Sequence, residues 1–169
     1  TNILMYEYFY NGGGVAAADF NGDGLADLYL TSNMSDNRMY LNKGNMQFED
    51  ITERTGAGGR PGPWKTGVNA VDINGDGRMD IYISYSGALP PNKRANQLFI
   101  NKGNYSDGVP FFEEQAGTYG LASTGFSNQA YFLDYDRDSD LDMLLLNHNP
   151  KNLPLLNEAG TAELNRADS

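Results

Sequence analysis

Apolar residues fall in short runs along this chain, and polar turn-formers break them at regular intervals. The runs are rich in Val, Ile, Leu, Tyr and Phe, the side chains that suit a pleated, half-buried surface. In the first third they predict strands at Val15–Asp19, Asp27–Ser32, Arg38–Leu41 and Gln47–Ile51. In the second they predict strands at Val68–Ile73, Asp80–Tyr85, Gln97–Ile100 and Pro110–Glu114. In the last third the same order predicts Gln129–Tyr135, Met143–Asn147, Leu153–Leu156 and Glu163–Arg166. Each set of four is one unit, so the spans are 1–59, 60–120 and 121–169, the last unit incomplete.

Two landmarks recur with the strands. Tyr40-Leu-Asn42-Lys-Gly44-Asn returns as Phe99-Ile-Asn101-Lys-Gly103-Asn, and more loosely as Leu155-Leu-Asn157-Glu-Ala-Gly160. Asn and Gly between apolar runs predict a hairpin turn there. The second landmark is an acidic phrase between the first and second strands of every unit. It reads Asp19-Phe-Asn21-Gly-Asp23-Gly-Leu25-Ala-Asp27, Asp72-Ile-Asn74-Gly-Asp76-Gly-Arg78-Met-Asp80 and Asp134-Tyr-Asp136-Arg-Asp138-Ser-Asp140-Leu-Asp142. Four antiparallel strands repeated at this period describe the blades of a β-propeller. Small residues suit the crowded inner strand, and Ala16-Ala-Ala18 fits. Three blades do not close a ring, and a blade buries its faces only against neighbours. The expectation is an all-β, partial β-propeller of three four-stranded antiparallel blades, to be completed by further blades of a longer parent or by other copies.

The acidic phrase carries the chemistry. Oxygen-bearing side chains at positions 1, 3, 5 and 9 of a tight loop can curl around one hard cation, and Ca²⁺ takes six to eight oxygens. Position 7 (Leu25, Arg78, Asp140) would give a backbone carbonyl, so its side chain is free to vary. Glycine at position 6 permits the sharp turn in the first two loops; the third has Ser139 there, which puts its turn in question. An EF-hand needs Glu at position 12 and flanking helices, whereas position 12 here is Leu30, Ile83 and Leu145 and the flanks read as strands. Dockerin-like loops fail for the same reason. Thrombospondin-type calcium repeats lean on disulfides, and this chain has no Cys.

Charge follows the loops. Of the 22 acidic residues, 11 lie in the three phrases, and three bound Ca²⁺ would bring the net charge from −10 to −4. An acidic surface argues against nucleic acid as a partner. At 169 residues with 40% hydrophobic side chains the chain is long enough for a buried core. No apolar run approaches the length of a membrane-spanning helix. Thr1–Glu7 has neither the basic start nor the cleavage pattern of a signal peptide.

Enzymatic chemistry finds little support. The single histidine, His148, ends a strand with no nucleophile phrase near it. Glu113 and Glu114 would point to opposite faces of their strand, which disfavours a glycosidase pair. Tyr6, Tyr8, Phe9 and Tyr10 read as a strand packed on the first blade or as a stacking platform. Trp64, between Pro63 and Lys65, is the candidate for an exposed ligand-binding aromatic on an interblade loop, or else a cap on the core.

The acidic loop with its downstream apolar strand resembles the FG-GAP/VCBS propeller repeat of integrin α-subunit heads. Tyr8-Phe-Tyr-Asn-Gly-Gly-Gly-Val15, Gly24-Leu-Ala-Asp-Leu-Tyr-Leu30, and Asn37-Arg-Met-Tyr-Leu-Asn-Lys-Gly44 leading to Phe48-Glu-Asp-Ile-Thr52 resemble the cartilage-acidic-protein (ASPIC-type) family. The resemblance implies a large secreted or cell-surface propeller with calcium in its blade loops, on the outer surface if bacterial. Its implied ligands are Asp19, Asn21, Asp23, Leu25 (carbonyl) and Asp27; Asp72, Asn74, Asp76, Arg78 (carbonyl) and Asp80; and Asp134, Asp136, Asp138, Asp140 (carbonyl) and Asp142. The expected function is a calcium-stabilised recognition or scaffolding module with a protein or glycan partner. The alternative is the propeller part of a larger surface enzyme or glycan-uptake accessory whose chemistry lies elsewhere.

Overall fold

A computed structural model describes residues 12–148, apart from Pro63 and Ala88. Among these residues ten strands form three antiparallel sheets of four, four and two strands. The first holds β1 (Val15–Ala18), β2 (Asp27–Leu30), β3 (Arg38–Asn42) and β4 (Phe48–Asp50); the second holds β5 (Lys65–Val71), β6 (Asp80–Tyr85), β7 (Gln97–Asn104) and β8 (Pro110–Glu114). The third pairs β9 (Ser127–Leu133) with β10 (Asp142–Asn147). Within each four-stranded sheet the strands lie in chain order. The predicted strands at 153–156 and 163–166, and the aromatic stretch Tyr6–Tyr10, lie outside the described residues.

The sheets stack face to face, and β6 shows why they must. All six of its residues are buried. Because side chains alternate across a strand, Ile81, Ile83 and Tyr85 join Tyr29, Met39 and Leu41 in a core between the first and second sheets. Tyr82, on the opposite face, joins Leu98, Ile100 and Ala130 in a second core, with Phe132, Met143 and Leu145 packed on it. Each such aliphatic side chain contributes roughly 1.5–3 kcal/mol by leaving water. The first strands β1, β5 and β9 are neighbours. Near them, Gly14 N–H donates to the Thr66 carbonyl at 2.9 Å and the Thr66 hydroxyl donates to the Ser127 carbonyl at 2.8 Å. Sheets stacked in sequence with their first strands adjacent are consistent with part of a β-propeller.

Three details depart from the expected strands. The second hairpin does not turn at Asn101-Lys-Gly103. There β7 kinks, with Gly103 N–H donating to Asn101 Oδ1 at 2.9 Å, and pairing resumes at Asn104 opposite Pro110. The reversal comes at Tyr105–Gly108. The first unit makes the same kink, Gly44 N–H to Asn42 Oδ1 at 2.9 Å, but turns at once. Second, β5 and β9 start and end earlier than expected, from Lys65 to Val71 and from Ser127 to Leu133, and β5 has an irregularity before Val68. Third, two single helical turns join the strands, α1 (Thr52–Thr55) and α2 (Pro91–Arg94). Gly56 closes α1 at φ 74°, and Pro91 opens α2 at a position where no N–H is needed. Among the described residues no helix is long and apolar enough to cross a membrane.

Candidate metal centre

All three acidic phrases form the corner between the first and second strands of their sheets. The first is built from its own side chains. Asp19 Oδ1 accepts from Gly22 N–H at 2.7 Å and Asp23 N–H at 3.1 Å, and its Oδ2 accepts from Gly24 N–H at 2.8 Å. Asp23 Oδ1 accepts from Leu25 N–H at 2.8 Å. Asn21 Nδ2 donates to Asp23 Oδ2 at 3.0 Å. The second loop repeats this plan through Asp72, Asn74 and Asp76. The third repeats it in part, with Ser139 N–H donating to Asp134 and Asp140 N–H to Asp138.

The turns need left-handed backbone at positions 4 and 6. Glycine supplies it in the first two loops, with φ between 69° and 86° at residues 22, 24, 75 and 77. In the third loop Arg137 and Ser139 adopt φ of 66° and 75°. So the turn in question at Ser139 has the same shape as the other two, at a steric cost that glycine would not carry.

Position 9 has a second role. Asp27 and Asp80 are fully buried. One oxygen of each accepts from the residue at position 2 (Phe20 at 3.0 Å, Ile73 at 3.1 Å), and the other from the third strand (Asn42 N–H at 2.9 Å, Asn101 N–H at 2.7 Å). Each carboxylate thus staples its loop shut and fastens it to the sheet. Burial pushes both carboxyls above the usual carboxylate range, and the backbone N–H bonds pull partly back. A carboxylate has about four lone-pair sites, so two accepted bonds do not use it up. Asp142 keeps the first half of the staple, accepting from Tyr135 N–H at 2.9 Å, and is exposed.

The side chains at positions 1, 3, 5 and 9 offer oxygen throughout, from carboxylates and amides. That chemistry fits a hard divalent cation and not a metal that prefers sulfur or imidazole. In the third loop the carboxylate oxygens of Asp134, Asp136 and Asp138 lie within 4.8 Å of one another. Like charges this close repel unless a cation or a proton intervenes, and the hydrogen bond and charge of Asp138 push the neighbouring Asp140 carboxyl up.

The other sequence candidates fall elsewhere. Trp64 is buried, 5% exposed, and packs against Gly87, where an added Cβ would sit 2.0 Å from its ring. It is therefore a core residue and not an exposed platform; Gly87, lacking a side chain, makes room for the indole. His148 packs its ring on Phe126 at 5.5 Å. Glu113 pairs with Lys102 at 3.6 Å, while Glu114 accepts from the N–H groups of Leu98 and Ala116. The two glutamates serve separate partners.

Residues missed at the sequence level join the loops to the neighbouring sheet. Asn101 Nδ2 reaches the Phe20 carbonyl at 2.8 Å, Asn104 Nδ2 the Asn21 carbonyl at 2.6 Å, and Asn21 Nδ2 the Gly108 carbonyl at 3.3 Å. The first loop is thereby clasped by the β7–β8 hairpin. The repeat of Asn42 as Asn101 marks the position, but periodicity alone does not reveal the bond across sheets.

Stacked antiparallel sheets with an acidic Asp/Asn loop after each first strand define a repeat class. Residues 19–83, from the first acid of loop one to the strand after loop two, match the FG-GAP-like repeat family. The chain is also similar to cartilage acidic protein 1. It is 28% identical over 143 residues to that of Xenopus tropicalis, covering 82% of this chain and 21% of the relative. It is 30% identical over 139 residues to those of Mus musculus and Homo sapiens, covering 80% of this chain and 20% of each. The resemblance drawn from the loop phrases and their flanking strands is supported on both counts. The chain spans about a fifth of the length of these relatives.

Proposed function

We propose that this chain is a calcium-stabilised part of a secreted or cell-surface β-propeller that serves in recognition or scaffolding, without catalysis of its own. The observation that carries the reading is the loop at Asp134–Asp142, where three carboxylates converge within 4.8 Å at an exposed sheet corner; the sequence repeats the oxygen-bearing positions twice more, with Asn21 and Asn74 in place of Asp136. The residues that would hold the ions are the side chains at positions 1, 3, 5 and 9 of each loop and the main-chain carbonyls of Leu25, Arg78 and Asp140, for about three ions in all. Calcium, when bound, supplies the positive charge that relieves carboxylate repulsion and ties first strand to second.

An extracellular setting suits such loops, because calcium there reaches the millimolar range in which modest sites fill. The relatives are named for cartilage and for acidity, and this chain shares the acidity, with net charge −10. A protein or glycan partner fits that setting, and a nucleic acid does not suit the charge. An open polar cleft of about 490 Å³ between the first two sheets, lined by Asp36, Arg38, Glu53, Gly58 and Gln97 among others, offers one surface for it. The outer face of β9–β10 exposes Tyr131, Leu133, Leu144 and Leu146; a further sheet of the same kind would cover it.

Thermal unfolding in excess chelator and in about 1 mM Ca²⁺ tests the reading. A site filled at ~100 times its dissociation constant adds about 2.7 kcal/mol, so the melting temperature rises by several degrees, with Mg²⁺ a poor substitute. Equal melting temperatures in chelator and calcium would overturn it.

A further inference from the structure

The three loops share a backbone plan but differ in charge. Over their nine positions, counting Asp and Arg, the second carries −2, the first −3 and the third −4. The second loop already holds a cation of the chain's own. Arg78 Nη2 donates to Asp76 Oδ2 at 2.5 Å, and Arg78 Nε is anchored on the Asn101 carbonyl at 3.2 Å. The same Asp76 oxygen also accepts from Asn74 Nδ2 at 2.9 Å. Position 7 of the first loop is Leu25, which brings no charge. In the third loop Asp136 stands where the others have an amide donor. Among the described residues Arg137 makes no ion pair there.

We propose that the loops take up calcium in order, the third first and the second last, with Arg78 setting the weak end by holding Asp76 and repelling the incoming ion. The proposal rests on the calcium reading above. Arg78 is a positioning and charge-setting residue; its main-chain carbonyl would be the ligand, while its guanidinium holds Asp76. A unit positive charge a few ångströms from a divalent ion in a water-like dielectric weakens binding by about tenfold. Asp76 Oδ2, which already accepts from Asn74 and Arg78, must also release one of these donors before that oxygen can act as a ligand.

The experiment is a Ca²⁺ titration of the full chain followed by the amide resonances of Gly24, Gly77 and Ser139, one reporter per loop. In the wild type the Gly77 midpoint is expected at free calcium about tenfold above that of Gly24, with Ser139 lowest. Arg78→Leu, which copies the first loop, brings the Gly77 midpoint to that of Gly24. Arg78→Lys, which keeps the charge, leaves Gly77 well above Gly24. Asp136→Asn moves the Ser139 midpoint up toward Gly24. Coincident wild-type midpoints, or a Gly77 midpoint unmoved by Arg78→Leu, overturn the order while leaving calcium binding intact. No response at any of the three amides overturns calcium binding itself, and the order with it.

Discussion

The side-chain amide of Asn101 donates to the carbonyl of Phe20 at 2.8 Å, across the junction of the first and second sheets. The same amide reaches the Met79 carbonyl at 3.2 Å, and Asn101 is fully buried. The side-chain amide of its counterpart Asn42 donates within its own sheet, to the Ala26 carbonyl at 2.9 Å. A buried carbonyl left without a donor costs more than an exposed one. Asn101→Ala is therefore expected to destabilise by about 2 kcal/mol and Asn42→Ala by about 1 kcal/mol. Urea unfolding of the two variants checks this, and equal losses would mean that the contact between sheets adds nothing.

Trp64 acts through the core. Its indole fills the space left by the absent side chain of Gly87, which sits at φ 89°. Trp64→Ala should cost about 3–5 kcal/mol by leaving a cavity. Gly87→Ala should cost at least about 2 kcal/mol, by overpacking and by strain at positive φ. Denaturation midpoints measure both. A Trp64→Ala variant of wild-type stability that had lost binding to a glycan array would restore the surface role.

The strands and the acidic corners were legible because their signals are local. Short apolar runs rich in β-branched and aromatic residues placed β6 at Asp80–Tyr85 and β8 at Pro110–Glu114 with the bounds observed. The loops stood out because three copies lie in register. Trp64 misled because Gly and Pro neighbours suggest an exposed turn, while its burial depends on Gly87, 23 residues later. The β7–β8 reversal misled because Asn101-Lys-Gly103 makes a kink of the same form as the first unit's, and the added Tyr105–Gly108 carries the turn onward. The single turns α1 and α2 had signals, a closing Gly56 and an opening Pro91, that a search for strands passes over.

Ser139 supplies a test of stored strain. It holds φ 75° where the other loops have glycine at 86° and 83°. Left-handed backbone costs a non-glycine residue about 1 kcal/mol or more. Ser139→Gly is expected to stabilise by about 1 kcal/mol in chelator, where no bound ion contributes. Gly24→Ala should destabilise by a similar amount. Paired unfolding curves in chelator decide it, and a neutral or destabilising Ser139→Gly would show that the left-handed turn carries no net strain.

Asp50 makes the response to acid specific. Its Oδ1 accepts from the Thr52 hydroxyl at 2.6 Å and from Thr52 N–H at 3.0 Å, and its Oδ2 meets Arg38 at 3.3 Å. The Thr52 hydroxyl in turn accepts from Met39 N–H at 2.9 Å, so the bonds tie the start of α1 to β3. These contacts, the Thr52 hydroxyl first, hold the carboxyl below the usual carboxylate range. A carboxyl with a lowered folded pKa binds fewer protons in the native state than in the unfolded state. Its contribution is therefore present above the ordinary carboxylate pKa and is lost as pH falls through the folded value. Asp50→Asn keeps one oxygen acceptor and removes the titration. The stability difference between wild type and Asp50→Asn should be largest near about pH 7 and shrink toward about pH 3. Urea unfolding across that range, with Arg38→Leu as a control that removes only the ion pair, measures it. A difference independent of pH would mean that Asp50 titrates alike in the folded and unfolded chain, and that Thr52 binds it no more tightly charged than neutral.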